Sequence, residues 1–121
     1  MKKKVLIIED EVNIAKAEEL ILQDDYDVHL AHDGEEGLRK IRKVRPDVVV
    51  LDWMLPKISG VDVLAALRKD PSTAKTKVVM VTAKNRQEDE DIGIDAGADD
   101  YIMKPFEPIE LMHVINQVLD N

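Results

Sequence analysis

Val48-Val49-Val50-Leu51-Asp52-Trp53-Met54-Leu55-Pro56 is the stretch on which the fold turns. Four apolar residues in a row, three of them β-branched, read as a strand buried on both faces, and such strands belong to parallel sheets. The run stops at an acid, Asp52, and Pro56 marks the loop behind it. Upstream, Val5–Ile8 repeats the pattern and ends in Glu9, Asp10 and Glu11. Between these runs, residues 12–24 carry Ile14, Ala17 and Ile21 at helical spacing, and Tyr26–Ala31 alternates as a strand. Asp33 suits the cap of a helix with Leu38, Ile41 and Val44, which Pro46 ends. Downstream, Ser59 or Gly60 opens a helix with Val61, Leu64 and Leu67, closed at Asp70-Pro71. Val78–Val81 is a fourth strand, 87–96 a strongly acidic helix ended by Gly97, and 99–103 a fifth strand. Leu111, Val114, Ile115 and Val118 stripe a final helix. The reading is an α/β domain over residues 1–121: one (βα)5 unit, doubly wound about a parallel sheet.

Composition narrows what such a domain does. The 121 residues hold 17 Lys and Arg against 25 Asp and Glu, a net charge of −8. That argues against direct nucleic-acid binding, which needs a basic face, and against docking on an anionic membrane. Aromatics are 3%, too few for a base-stacking platform. The absence of Cys excludes disulfides, thiolate metal sites and thiol catalysis. No apolar run approaches the ~20 residues of a spanning helix. The basic start Lys2–Lys4 leads into an apolar run that breaks at once into acids, so it is no signal peptide. The expected location is the cytoplasm.

Open parallel sheets bind ligands beyond the carboxyl ends of their strands. Glu9 and Asp10 follow strand 1, Asp52 strand 3, Thr82 strand 4, and Lys104 with Pro105 strand 5. Converging carboxylates raise one another's pKa unless a cation sits among them, and a hard ion such as Mg²⁺ suits oxygen ligands. A hydroxyl and an ammonium opposite would suit a phosphoryl group, with one carboxylate as nucleophile. Each residue also has a plain reading. Asp10 and Thr82 are good helix caps, Asp52 a loop acid and Lys104 a solvated cation, and the spacing alone leaves both accounts open. His29, His32 and His113 are scattered without metal-ligand spacing, and Glu88–Asp91 reads as a solvated helix face.

The ordered set IIEDE (Ile7–Glu11), VVVLDWMLP (Val48–Pro56), SG (Ser59–Gly60), VTAK (Val81–Lys84) and GADDYIMKPF (Gly97–Phe106) resembles the receiver domain of two-component response regulators over essentially the whole chain. The resemblance implies a flavodoxin-like sheet of order 2-1-3-4-5. It implies that Asp52 is the phosphoacceptor and that Mg²⁺ is held by Asp10, Asp52 and the main-chain carbonyl of Met54, with Glu9 on a metal-bound water. It implies that Lys104, the Thr82 hydroxyl and the N–H groups of Trp53 and Ala83 bind the phosphoryl oxygens. Thr82 and Tyr101 would form the conformational switch, and the bond before Pro105 would be cis.

The function so implied is a phosphorylation-controlled switch, not an enzyme with an external product, although it assists its own phosphorylation and dephosphorylation. The donor would be a histidine kinase or phosphotransfer protein. An output protein or domain would read the face made by the helix at 87–96, the fifth strand and the C-terminal helix. In receivers of winged-helix transcription factors that face dimerises through charged pairs. Here a usual basic position falls on Glu90 and another on Val114, with only Arg86 as a nearby cation. The expectation is a mainly monomeric chain, with a weak dimer on activation as the alternative, and a basic or amphipathic protein partner. One rival is an aspartate-nucleophile phosphohydrolase, which wants a second Asp where Met54 stands. Another is a flavodoxin-like cofactor binder, which wants a Gly-rich phosphate loop where Glu9-Asp10-Glu11 stands. A third is the receiver part of a longer winged-helix transcription factor, which the LDWMLP wording resembles.

Overall fold

The computed structural model describes residues 2–83 and 97–120. Its order is β1 (Lys4–Ile8), α1 (Val12–Leu22), β2 (Asp27–Ala31), α2 (Gly34–Val44), β3 (Val48–Asp52), α3 (Gly60–Lys69), β4 (Lys77–Ala83), β5 (Asp100–Lys104) and a C-terminal helix (Pro108–Asp120). The five strands form one parallel sheet, β2-β1-β3-β4-β5. The expected helix at 87–96, with Arg86, Glu90 and the acid run Glu88–Asp91, lies outside the described residues.

All of β3 is buried, as its unbroken apolar run demands. The pleat divides the core in two. Val5, Ile7, Val48, Val50, Val79, Val81 and Ile102 face α1 and the C-terminal helix. Leu6, Ile8, Val49, Leu51, Val78 and Met80 face α2 and α3. Each fully buried aliphatic side chain contributes about 1.5–3 kcal/mol, so the sheet alone supplies most of the core.

Local chemistry sets the helix ends. Asp33 caps α2 by accepting the Glu36 N–H at 2.8 Å, and Ser59 caps α3 by accepting the Asp62 N–H at 3.2 Å. α2 stops at Arg45, whose left-handed conformation (φ 54°) turns the chain toward Pro46. Two expectations need correction in α1. Its cap residue is Glu11, not Asp10, and makes no side-chain cap bond. Its buried stripe is Ala15, Glu18 and Leu22, while Ala17 is exposed and Ile14 and Ile21 are half-buried. An acid on the buried face breaks the apolar pattern, so the sequence points to a stripe one residue off.

Arg68 of α3 closes the far side. Its guanidinium donates to the carbonyls of Gly97, Ala74 and Thr76 at 2.6–3.0 Å and to Asp99 Oδ2 at 3.1 Å. These bonds hold the chains leading into β4 and β5 against α3.

Candidate functional site

The parallel strands deliver Glu9, Asp52, Thr82 and Lys104 to one edge of the sheet. Glu9 is 2% exposed and Asp52 7%. The Lys104 ammonium lies between them, donating to Asp52 Oδ2 at 2.9 Å and Glu9 Oε1 at 3.1 Å. Each carboxylate has a second donor. The Glu11 N–H reaches Glu9 Oε2 at 3.1 Å, and the Met54 N–H reaches Asp52 Oδ1 at 3.0 Å. Asp10 is exposed at the rim, free of the capping duty that was its plain alternative.

The electrostatics follow from burial. Desolvation pushes the Glu9 carboxyl up to about 7. The Glu11 amide and Lys104 oppose the rise and the Asp52 charge adds to it. Burial works against the Lys104 charge, but its bonds to Asp52 and Glu9 outweigh that and hold the ammonium well above its ordinary range. One lysine thus neutralises two buried acids only in part.

Glu9, Asp10 and Asp52 each offer one carboxylate oxygen, and these lie within 4.8 Å of one another. Three hard oxygens so close, without nitrogen or sulfur donors, fit Mg²⁺ or a like cation and not a soft metal. Asp10, Trp53, Met54, Leu55, Pro56 and Ser59 line a hollow beside them. The Met54 side chain is 64% exposed at the rim of this hollow.

The main chain around Asp52 is closely constrained. A Cβ on Gly60 would lie 2.2 Å from the Asp52 carbonyl oxygen and 2.9 Å from Trp53 Cα, so only glycine lets α3 start there. The Trp53 N–H, expected to face a phosphoryl group, donates instead to the Val81 carbonyl at 2.9 Å. The β3–β4 ladder runs on through Asp52 and uses that amide, so the N–H at the carboxylate is that of Met54. Ala83 ends β4, paired with Lys104. The Lys104–Pro105 bond is cis.

Thr82 and Tyr101 lie on the other side of the pleat. Thr82 shares its face with Met80, and Tyr101 packs against the α2–α3 core. Thr82 is 2% exposed, yet its Oγ1 has no hydrogen-bond partner among the described residues. Native structures seldom leave a buried hydroxyl unsatisfied without a reason. Tyr101, Met103, Lys104, Pro105, Glu110 and Val114 line a surface groove at the β5 edge.

Sequence reasoning missed two residues. Glu18 is buried behind the site, and its only signal was an acid at the spacing of Ala15 and Leu22. The Met54 amide left no signal, because a main-chain donor is invisible in residue type.

Comparison with known proteins agrees with this geometry. The response regulator receiver domain matches residues 5–116. The DNA-binding response regulator MtrA of Mycobacterium tuberculosis is 40% identical over 113 residues, covering 93% of this chain and 48% of its own length. The alkaline phosphatase synthesis transcriptional regulatory protein PhoP of Bacillus subtilis is 40% identical over 120 residues, covering 98% and 49%. The chain thus spans about half the length of the curated relatives it matches. Among solved structures, the chemotaxis response regulator CheY4 of Vibrio cholerae superposes with a TM-score of 0.92 at 32% identity, covering 98% of this chain and 100% of that one.

Proposed function

The chain belongs to the response regulator receiver domain family, and on that premise we propose that Asp52 is its phosphoacceptor and residues 1–121 one receiver domain. The observation that supports this is the Lys104 ammonium bonded to both Asp52 and Glu9 beside the Asp10 rim, a charge arrangement suited to an anion arriving on Asp52. The donor is a phosphohistidine of a histidine kinase or phosphotransfer protein. An Asp52 carboxylate oxygen attacks phosphorus in line, the P–N bond breaks as the P–O bond forms, and the imidazole leaves. Lys104 follows the new negative charge onto the phosphoryl oxygens. The Thr82 hydroxyl, once turned toward Asp52, and the N–H groups of Met54 and Ala83 would complete the cradle. Glu9, Asp10, Asp52 and the Met54 carbonyl would hold Mg²⁺, which when bound neutralises charge on the transferring group.

The chain acts as a switch and not as an enzyme on an external substrate; Met54 stands where a phosphohydrolase would need its second acid. The unsatisfied Thr82 hydroxyl supports the switch. Turning to a phosphoryl oxygen gives it a partner, and Tyr101, on the same face, responds to the space it leaves. The exposed apolar residues Val12, Met54 and Ile109 stand at the strand-end side of the domain and suit a docking donor protein. The β5 groove, with Glu110 and Val114 on the C-terminal helix, suits an output protein, and the chain stays mainly monomeric on activation. No described helix is long and apolar enough to cross a membrane, and the cytoplasm is the proposed location.

The test is phosphorylation by acetyl phosphate with Mg²⁺. The wild-type protein should gain one base-labile acyl phosphate and Asp52→Asn none. Equal labelling of the variant, read by intact mass, would move the nucleophile elsewhere.

A further inference from the structure

Glu18 lies half-way along α1, between Ala15 and Leu22 on the buried stripe, and is 5% exposed. Its Oε2 has no hydrogen-bond partner among the described residues. A carboxyl so placed is costly, and an apolar side chain would fill the cleft at no such cost. The elements around it offer little compensation. β2 contributes Val28 and Leu30, the C-terminal helix Leu111, Ile115 and Val118, and Tyr26 is the titratable group within this cluster. The charges that reach Glu18 are Glu9 after β1, Asp52 of β3 and Lys104 of β5. On this side of the sheet the Lys104 ammonium pairs with Glu9 and Asp52, and Glu18, a third buried carboxyl, has no ion pair among the described residues.

Glu18 is not a ligand of the cation site. It sits six residues into a helix that begins at the site edge, about 9 Å along the axis. It acts through the field. Burial, reinforced by the charge of Glu9, pushes its carboxyl up to about 7, with Lys104 opposing and Asp52 adding. Such a group answers readily to a change of charge at the site.

We propose that Glu18 is the charge regulator of the phosphoryl site: it keeps a proton in the cation-free protein and yields it to solvent when a divalent cation joins Glu9, Asp10 and Asp52. This rests on the cation reading of those three residues. The incoming positive charge favours the Glu18 carboxylate, and the new carboxylate in turn tightens the hold on the cation. A later gain of negative charge on Asp52 reverses the trend and draws the proton back. Cation affinity thereby becomes linked to pH through a residue that never touches the ion.

The experiment is calorimetric titration of the protein with Mg²⁺ near pH 6.5, in two buffers of different ionisation heat, which counts protons released per ion. Glu18→Gln keeps the shape and removes the proton. Glu18→Leu, suited to the apolar cleft, serves as the second variant should the amide fold poorly. Both should release fewer protons than wild type, by about half a proton or more, and their log Kd should fall less steeply as pH rises from 6 to 8. Proton counts and pH slopes equal to wild type in the folded variants overturn the role of Glu18 and leave the cation site standing. A wild-type protein that binds no Mg²⁺ overturns both.

Discussion

The two faces of the sheet are built to opposite rules. Toward α2 and α3, the core is aliphatic up to the buried Thr82 hydroxyl at its edge, and the helix backbones come very close. A Cβ on Gly37 would lie 2.5 Å from Ile8 Cδ1, and one on Gly60 would strike the Asp52 carbonyl. Toward α1 and the C-terminal helix, the apolar core stops short of the sheet edge, and Glu9, Asp52, Lys104 and Glu18 occupy the space. One face spends its stability on shape and the other tolerates charge. A receiver needs both: a rigid backing for the nucleophile and a responsive set of charges in front of it.

Gly60→Ala should break the rigid side most severely. The obstacle is a main-chain oxygen at 2.2 Å, which cannot rotate away, so urea melts should show a loss of about 3 kcal/mol. Phosphorylation should fall with it, because Asp52 itself must shift. On the charged side, Lys104→Ala leaves two acids unpaired and should cost about 2 kcal/mol at pH 8, discounted because the lysine is one-third exposed. The loss should shrink below pH 7, where Glu9 holds a proton, and melts at pH 5.5 and 8 measure the difference.

Glu18→Leu gives the smallest effect, with the opposite sign. The folded carboxyl titrates near 7, above its unfolded value of 4.5, so its contribution to stability is intact below 4.5 and lost as pH rises through 7. Substitution should therefore gain little at pH 4.5 and about 1–2 kcal/mol at pH 8. A gain that does not grow with pH would show that packing, not charge, governs this position.

How much of this was legible in the sequence follows from what each residue signals. β3 and the four acids and bases at the strand ends were plain, because an apolar run that stops in a charged residue marks both a strand and its edge. The caps Asp33 and Ser59 were legible for the same reason: their side chains do the work. Glu18 was not, because a helix pattern read from apolar residues skips a buried acid and slides to Ile14, Ala17 and Ile21. The donor at Asp52 was misplaced by one residue, from Met54 to Trp53. The ladder to Val81 determines which amide is free, and that pairing exists only once β3 and β4 are side by side.

The pleat that separates Thr82 and Tyr101 from Asp52 and Lys104 also limits how this sequence can change in length. Adding or deleting one residue within β4 or β5 turns every later side chain of that strand to the opposite face. In β5 this would carry Lys104 away from Asp52 and bring Met103 or Pro105 in its place. Two residues restore the faces but move the edge by about 6–7 Å, past the reach of a 2.9 Å bond. Length variation that preserves signalling therefore belongs in the connections, and the strands behave as fixed rulers.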